Sequence, residues 1–323
     1  MPFKGHDFFM DISVNKSLWL IMGSVLGISL LAVVGIWHGT TPEDSPLSVL
    51  FIGNSYTAAN SLPDLFADVA ESAGFARPAV KAYTPGGKTL GGHLSDARTR
   101  SLIHDGPAVG QQWDVVVLQE QSEMPVAAQT NPAVNKSFLD GAAGLYELVK
   151  ESSPVARVIL FETWARHAAW WGSGHAQAAT DGINPADMMQ KLKAGYEQAS
   201  QTMAGPGGLP VPIARVGELW AINYNSDSPI MLHAPDGSHP NLAGSYVAAL
   251  EIFSTIYHAS PQNIKYRGTL PRAEAAALRS LVSRNFPNIQ AGNGGGGGNG
   301  VRGERCQEGE TVSGTLFFSG GML

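Results

Sequence analysis

Ser55, Asp236 and His239 are side chains of the types that break esters, and each stands beside an element able to hold it still. Ser55 lies in Phe51-Ile52-Gly53-Asn54-Ser55-Tyr56-Thr57, directly after the apolar run Leu47 to Ile52. A serine hydroxyl is a weak nucleophile until a neighbouring base takes its proton. Asp236-Gly237-Ser238-His239-Pro240-Asn241 offers such a base just before an apolar helical pattern. The aspartate can accept from one ring nitrogen, which sets the tautomer and leaves the other nitrogen free to receive a proton. Two further segments carry donors for a developing oxyanion. Tyr83 to Leu94 (YTPGGKTLGGHL) is a glycine-rich turn with unhindered backbone N–H groups, and Gln119-Glu120-Gln121-Ser122 brings side-chain amides. Gly87-Lys88-Thr89 is not the end of a nucleotide phosphate loop, because that pattern needs glycine where the chain has Ala82.

These segments can cooperate only if the fold brings them to one edge. Continuous apolar runs at Leu47–Ile52, Val115–Leu118 and Val155–Phe161 predict strands buried on both faces, with weaker strands at Val80–Tyr83 and Val211–Val216. Helical patterns alternate with them at Leu62–Ala73, Ser137–Lys150, Pro185–Met203, Pro240–Tyr257 and Pro271–Asn285. This alternation predicts an α/β fold: a flavodoxin-like three-layer α/β/α arrangement on a parallel sheet of about five strands. Reactive groups in such a sheet gather beyond the carboxyl ends of the strands, where Ser55, the glycine turn and the amide segment all fall.

Composition narrows the function further. Lys+Arg number 21 against Asp+Glu 27, a net charge of −6, so no cationic surplus is available for phosphates and nucleic acid is not an expected partner. The single cysteine, Cys306, excludes an intramolecular disulfide and a cysteine-built zinc site. The histidines show no metal-ligand spacing, so neither metal nor other cofactor is expected. Leu18 to Trp37 is uncharged, and about 20 residues at 1.5 Å each span a hydrocarbon core of roughly 30 Å. With Trp19 and Trp37 at its ends and no small-residue cleavage site after it, it is expected to be an uncleaved signal anchor. The expected organisation is a cytoplasmic segment (1–17), a transmembrane anchor (18–37), a linker (38–46), an extracytoplasmic body (47–288), periplasmic or extracellular, and a disordered glycine-rich tail (289–323).

From Leu47 to about Tyr257, the order of these motifs resembles that of the SGNH (GDSL-type) hydrolase superfamily. The resemblance implies that Ser55 is the nucleophile, with Gly-Asn-Ser-Tyr-Thr standing where the family often has Gly-Asp-Ser-Leu, so that Asn54 replaces an aspartate. It implies that Gly87 is the second-block glycine and that Asp236 and His239 complete the triad. The third block departs most: Gly-x-Asn-Asp is replaced by Gln119-Glu120-Gln121-Ser122, similar to the glutamine-bearing branch that includes carbohydrate acetylesterases. The implied oxyanion hole is the N–H of Ser55, the N–H of Gly87 and the amide of Gln119, with Gln121 as the alternative. Trp164 and His167, in the run Glu162 to His167 after the fourth strand, are expected to line the substrate cleft, and Trp170 and Trp171 to form an exposed aromatic loop. The function so implied is a membrane-anchored serine esterase acting on acyl esters, O-acetylated glycans among them. A lipase or thioesterase of the same fold, or a non-catalytic glycan-binding module, stays open at this point.

Overall fold

The computed structural model describes residue 1, residues 45–204 and residues 208–293, with side chains as far as 286. The expected anchor at 18–37, its flanks up to residue 44, and the tail from 294 onward lie outside the described residues. Among the described residues no helix is long and apolar enough to cross a membrane.

In chain order the elements that build the site are β1 (Ser48–Ile52), α1 (Ser55–Ala58), α2 (Leu62–Ser72), β2 (Ala79–Tyr83), α3 (Leu90–Leu94), α4 (Ala97–Asp105), β3 (Val115–Leu118) and α5 (Pro132–Ser152). They are followed by β4 (Arg157–Phe161), α6 (Pro185–Ala204), β5 (Ile213–Ala214), α7 (Val216–Tyr224), α8 (Leu242–Tyr257) and α9 (Arg272–Asn293). The five strands form one sheet in the order β2-β1-β3-β4-β5, every neighbouring pair parallel.

Side chains alternate across a strand, so an apolar residue at every position demands cover on both faces. Val49, Phe51, Val115, Val117, Ile159 and Phe161 pack beneath α2, α7, α8 and α9. Leu50, Ile52, Val116, Leu118 and Leu160 pack against α3, α4, α5 and α6 on the other side. The result is the expected three-layer fold. Each fully buried large side chain in it, such as Phe66, Phe138 or Phe253, contributes about 1.5–3 kcal/mol.

Several element boundaries differ from expectation for local reasons. The long helix expected from Ser137 starts at Pro132, because Asn131 caps it by accepting from the N–H groups of Ala133 and Val134 at 3.0 and 3.3 Å. The strand expected over Val211–Val216 shrinks to Ile213–Ala214, since Val216 already begins α7. The helix expected from Pro240 begins at Leu242, capped by Asn241 on the N–H of Gly244 at 2.9 Å, while Pro240 pairs with His233 in an isolated bridge. The last helix runs to Asn293, past the boundary placed at 288.

Candidate active site

The site grows from the end of β1. Gly53 has to be glycine, because a Cβ there would stand 2.5 Å from Thr57 Oγ1 and 2.7 Å from the side-chain amide oxygen of Gln119. Its own carbonyl accepts from His93 Nε2 at 2.8 Å, and His93 Nδ1 in turn accepts from the Thr99 hydroxyl at 2.8 Å. Burial pushes the His93 ring pKa down, outweighing the bond to the Gly53 carbonyl, so the imidazole stays neutral and braces the turn. Asn54 then caps α1. Its Oδ1 accepts from Tyr56 N–H at 3.2 Å, and its Nδ2 donates to the Lys88 carbonyl at 3.1 Å, tying the glycine turn to the start of α1. Ser55 is the first residue of that helix, so its N–H has no partner inside it, and it has none elsewhere among the described residues.

His239 arrives from the segment before α8. Its Nδ1–H donates to Asp236 Oδ2 at 2.6 Å, and its Nε2 accepts from the Ser55 hydroxyl at 2.8 Å. The other Asp236 oxygen accepts from the N–H groups of Ser238 and His239, both at 2.9 Å. Burial alone would raise the Asp236 carboxyl; the Ser238 N–H, the His239 ring and the His239 N–H outweigh it and hold the group below its usual value. Asn60, in the left-handed conformation that asparagine tolerates, donates to the Pro240 carbonyl at 3.2 Å and to Ser245 Oγ at 2.8 Å. It staples the segment after α1 to the segment carrying His239.

Beneath these loops lies a buried support with no local pattern in the sequence. Trp164 stacks between Tyr56 (centroids 4.7 Å apart) and Trp220 (4.0 Å), and its indole N–H donates to the Ser238 carbonyl at 3.0 Å. Arg166 donates to Tyr56 Oη and Ser238 Oγ, pairs with Glu123 at 2.9 Å, and lies 3.5 Å from the carboxylate of buried Asp181. Tyr56 and Ser238 are bonded to each other at 2.8 Å. Burial raises the Tyr56 phenol pKa, against the opposing Arg166 charge, so the hydroxyl stays protonated. The only hint in the sequence was a charged residue inside the aromatic run after the fourth strand.

The two glutamines part company. Gln119 is fully buried: its Oε1 accepts from Asn54 N–H (3.1 Å) and the Thr57 hydroxyl (2.8 Å), which fixes the amide orientation, and its Nε2 donates to the Glu120 carbonyl at 2.5 Å. One of the two Gln119 amide N–H groups, the donor expected to face the oxyanion, is therefore engaged within the protein. Gln121 accepts through Oε1 from the N–H groups of Glu123 and Met124, at 2.8 and 3.2 Å, and its Nε2 has no partner among the described residues. Gly87 adopts φ +69°, a conformation glycine takes without strain, and its N–H also lacks a partner there.

The expected cleft is rearranged. Trp164 is 1 % exposed and supports the site from below instead of lining the cleft. Glu162 is also buried, taking the Glu218 N–H at 3.2 Å, and burial followed by the neighbouring Glu218 charge pushes its carboxyl up to about 8. Trp171 is not free in a loop: it packs against the core and donates to the Gly182 carbonyl at 3.1 Å. His167 does line a cleft, of about 860 Å³, together with Trp170, His175, Met231, Pro235 and Asp236. Among the described residues no His, Cys, Asp or Glu side chains are grouped to hold a metal ion. Taken alone, the geometry can pass a proton from a serine hydroxyl to a histidine oriented by an aspartate, while the N–H groups of Ser55 and Gly87 and the Gln121 amide have no other partner among the described residues.

No protein-family model and no curated protein matches the chain. Among solved structures, a candidate SGNH hydrolase from Slackia heliotrinireducens is 28% identical, with a TM-score of 0.50, and the match covers 66% of this chain and all of that one. A DUF4886 family protein from Bacteroides uniformis shares the fold at 18% identity and a TM-score of 0.56, covering 75% of this chain and 95% of its own.

Proposed function

We propose that the chain, whose fold is similar to that of a candidate SGNH hydrolase, is an SGNH-type serine esterase whose nucleophile, base and orienting acid are Ser55, His239 and Asp236. One observation carries the reading: the hydrogen-bonded run from Asp236 Oδ2 through the His239 ring to Ser55 Oγ, with links of 2.6 and 2.8 Å. As Ser55 Oγ attacks the ester carbonyl carbon, its proton passes to His239 Nε2, and the carbonyl electron pair becomes an oxyanion. The N–H groups of Ser55 and Gly87 and the Gln121 amide stabilise that charge. Collapse of the tetrahedral intermediate breaks the bond to the alcohol oxygen, which leaves with the proton held on Nε2. Water then attacks the acyl-enzyme, again losing a proton to His239, and release of the carboxylic acid restores the serine. The His239 side chain is 40% exposed, so that water reaches it from solvent.

The aromatic wall of the cleft, Trp170 with His167 beside Asp236, suits a flat-faced alcohol such as a sugar ring, and we take O-acetylated glycans as the substrate class. The uncharged stretch Leu18 to Trp37 is proposed to anchor the enzyme in a membrane with this domain outside the cytoplasm. The test is Ser55→Ala: hydrolysis of p-nitrophenyl acetate and covalent labelling by a fluorophosphonate should both vanish while the melting temperature holds. Undiminished turnover in that variant removes the proposal.

A further inference from the structure

We propose that Glu120 is a positioning residue that holds the glycine turn and Gln121 in register to form one oxyanion hole; the inference rests on the serine-esterase reading above. Glu120 directly follows the strand residue Leu118 and its neighbour Gln119, and it is fully buried. Its carboxyl reaches across to α3, where its two oxygens lie 3.1 and 3.2 Å from the N–H of Leu90. Oε1 also accepts the N–H of Gln121 at 2.6 Å. One buried carboxyl thus grips the chain just after the Gly87 turn and just at Gln121, the two segments whose donors have no other partner among the described residues.

Among the described residues no cation pairs with Glu120, and leaving a carboxyl in an apolar interior costs several kcal/mol unless its bonds repay it. Its bonding partners are backbone groups of the two oxyanion segments. Burial pushes the carboxyl up to about 8, with the Gln121 and Leu90 N–H groups pulling the other way. The stretch just after Gly87 is held by other side chains as well: the Lys88 carbonyl accepts from Asn54, and Thr89 Oγ1 caps α3 on the Gly92 N–H at 3.0 Å. Glu120 adds the link from this stretch, at Leu90, to the Gln121 N–H.

Assayed at about pH 9, above the raised value where both carboxylate oxygens accept, Glu120→Gln keeps size and shape but turns one acceptor into a donor facing backbone N–H groups. With p-nitrophenyl acetate, kcat should fall about tenfold to a hundredfold, short of the hundredfold to thousandfold loss on deleting a donor outright, while KM moves less than about threefold. Phenylboronic acid adds to a serine hydroxyl as a tetrahedral anion, and its affinity should fall by the same factor as kcat/KM, with the folded fraction counted by fluorophosphonate titration. A purely structural role would leave boronate affinity of the folded fraction unchanged, and that result overturns the proposal, as does a folded variant with kcat and boronate affinity within twofold of wild type. If Glu120→Gln does not fold, Glu120→Asp, which retains the carboxyl with less reach, is judged by the same criteria. Ser55→Ala run alongside separates the two readings: turnover surviving there sinks the serine-esterase assignment, whereas a dead Ser55→Ala with a normal Glu120 variant sinks this inference alone.

Discussion

Replacing Gln119 and Gln121 separately by alanine should produce opposite phenotypes, although they stand two positions apart. Gln119→Ala strands the Asn54 N–H and the Thr57 hydroxyl, both buried, and the Glu120 carbonyl. A buried donor left unsatisfied costs about 1–3 kcal/mol, so two of them imply a loss of about 2–6 kcal/mol of stability. Gln121→Ala removes an acceptor from the Glu123 and Met124 N–H groups at a half-buried position that water can reach, a loss of about 1 kcal/mol. Its effect should fall instead on kcat, which loses about a hundredfold to a thousandfold with one oxyanion donor gone. Urea unfolding at pH 7 and p-nitrophenyl acetate kinetics on both variants give the comparison. If Gln121→Ala keeps kcat within threefold, the amide does not serve the oxyanion. If Gln119→Ala unfolds at the wild-type urea concentration yet loses turnover, the donor is Gln119 after all.

Asp236→Asn retains the shape of the His239 support but removes its charge and offers a donor to Nδ1; kcat should drop about a thousandfold to ten-thousandfold with near-normal stability, read by single-turnover kinetics. Arg166→Met leaves the buried Asp181 carboxylate without its cation and frees Tyr56 and Ser238, so stability should fall by about 3–5 kcal/mol in denaturant unfolding. Glu251 is fully buried, and burial pushes its carboxyl from 4.5 up to about 8, opposed by the Arg215 N–H and the Thr255 hydroxyl. A raised carboxyl binds its proton in the folded state while the unfolded chain has released it, so stability is fullest below pH 4.5 and drains away as pH rises towards 8. Glu251→Gln should flatten the fall in unfolding free energy across that window by up to about 1.4 kcal/mol per pH unit; an unchanged slope refutes the assignment.

How much of the fold the sequence revealed follows from where burial is two-sided. Central strands β1, β3 and β4 must be covered on both faces, so their residues form unbroken apolar runs that stand out. Edge strand β2 has only exposed and half-buried positions and gives only a weak signal, and β5 is two residues long. Helices α3 and α4 escaped because glycines and charged residues dilute their apolar faces: α3 is Leu-Gly-Gly-His-Leu, held by the Thr89 cap and by Glu120, two residues past the end of β3. No window on the local sequence contains that second partner.

The site divides along the same line. Asp236 and His239 were legible because three residues before a rigid helix fix their relation locally, and Ser55 because a buried strand ends beside it. What supports them is long-range: Trp164 reaches Ser238 across 74 positions, and Arg166 reaches Tyr56 across 110. Asn54, where the related motif has aspartate, shows how such a long-range partner selects a residue type. Its neighbour across the site is the Lys88 carbonyl, an acceptor, which an aspartate would repel and an amide N–H can bond at 3.1 Å. Its Oδ1 meanwhile keeps the capping bond to Tyr56 N–H that an aspartate would also make. The exchange of acid for amide therefore preserves the helix cap that holds the serine and adds a tether to the glycine turn. The departure from the motif in sequence is, in three dimensions, a further constraint on where the Gly87 N–H can point.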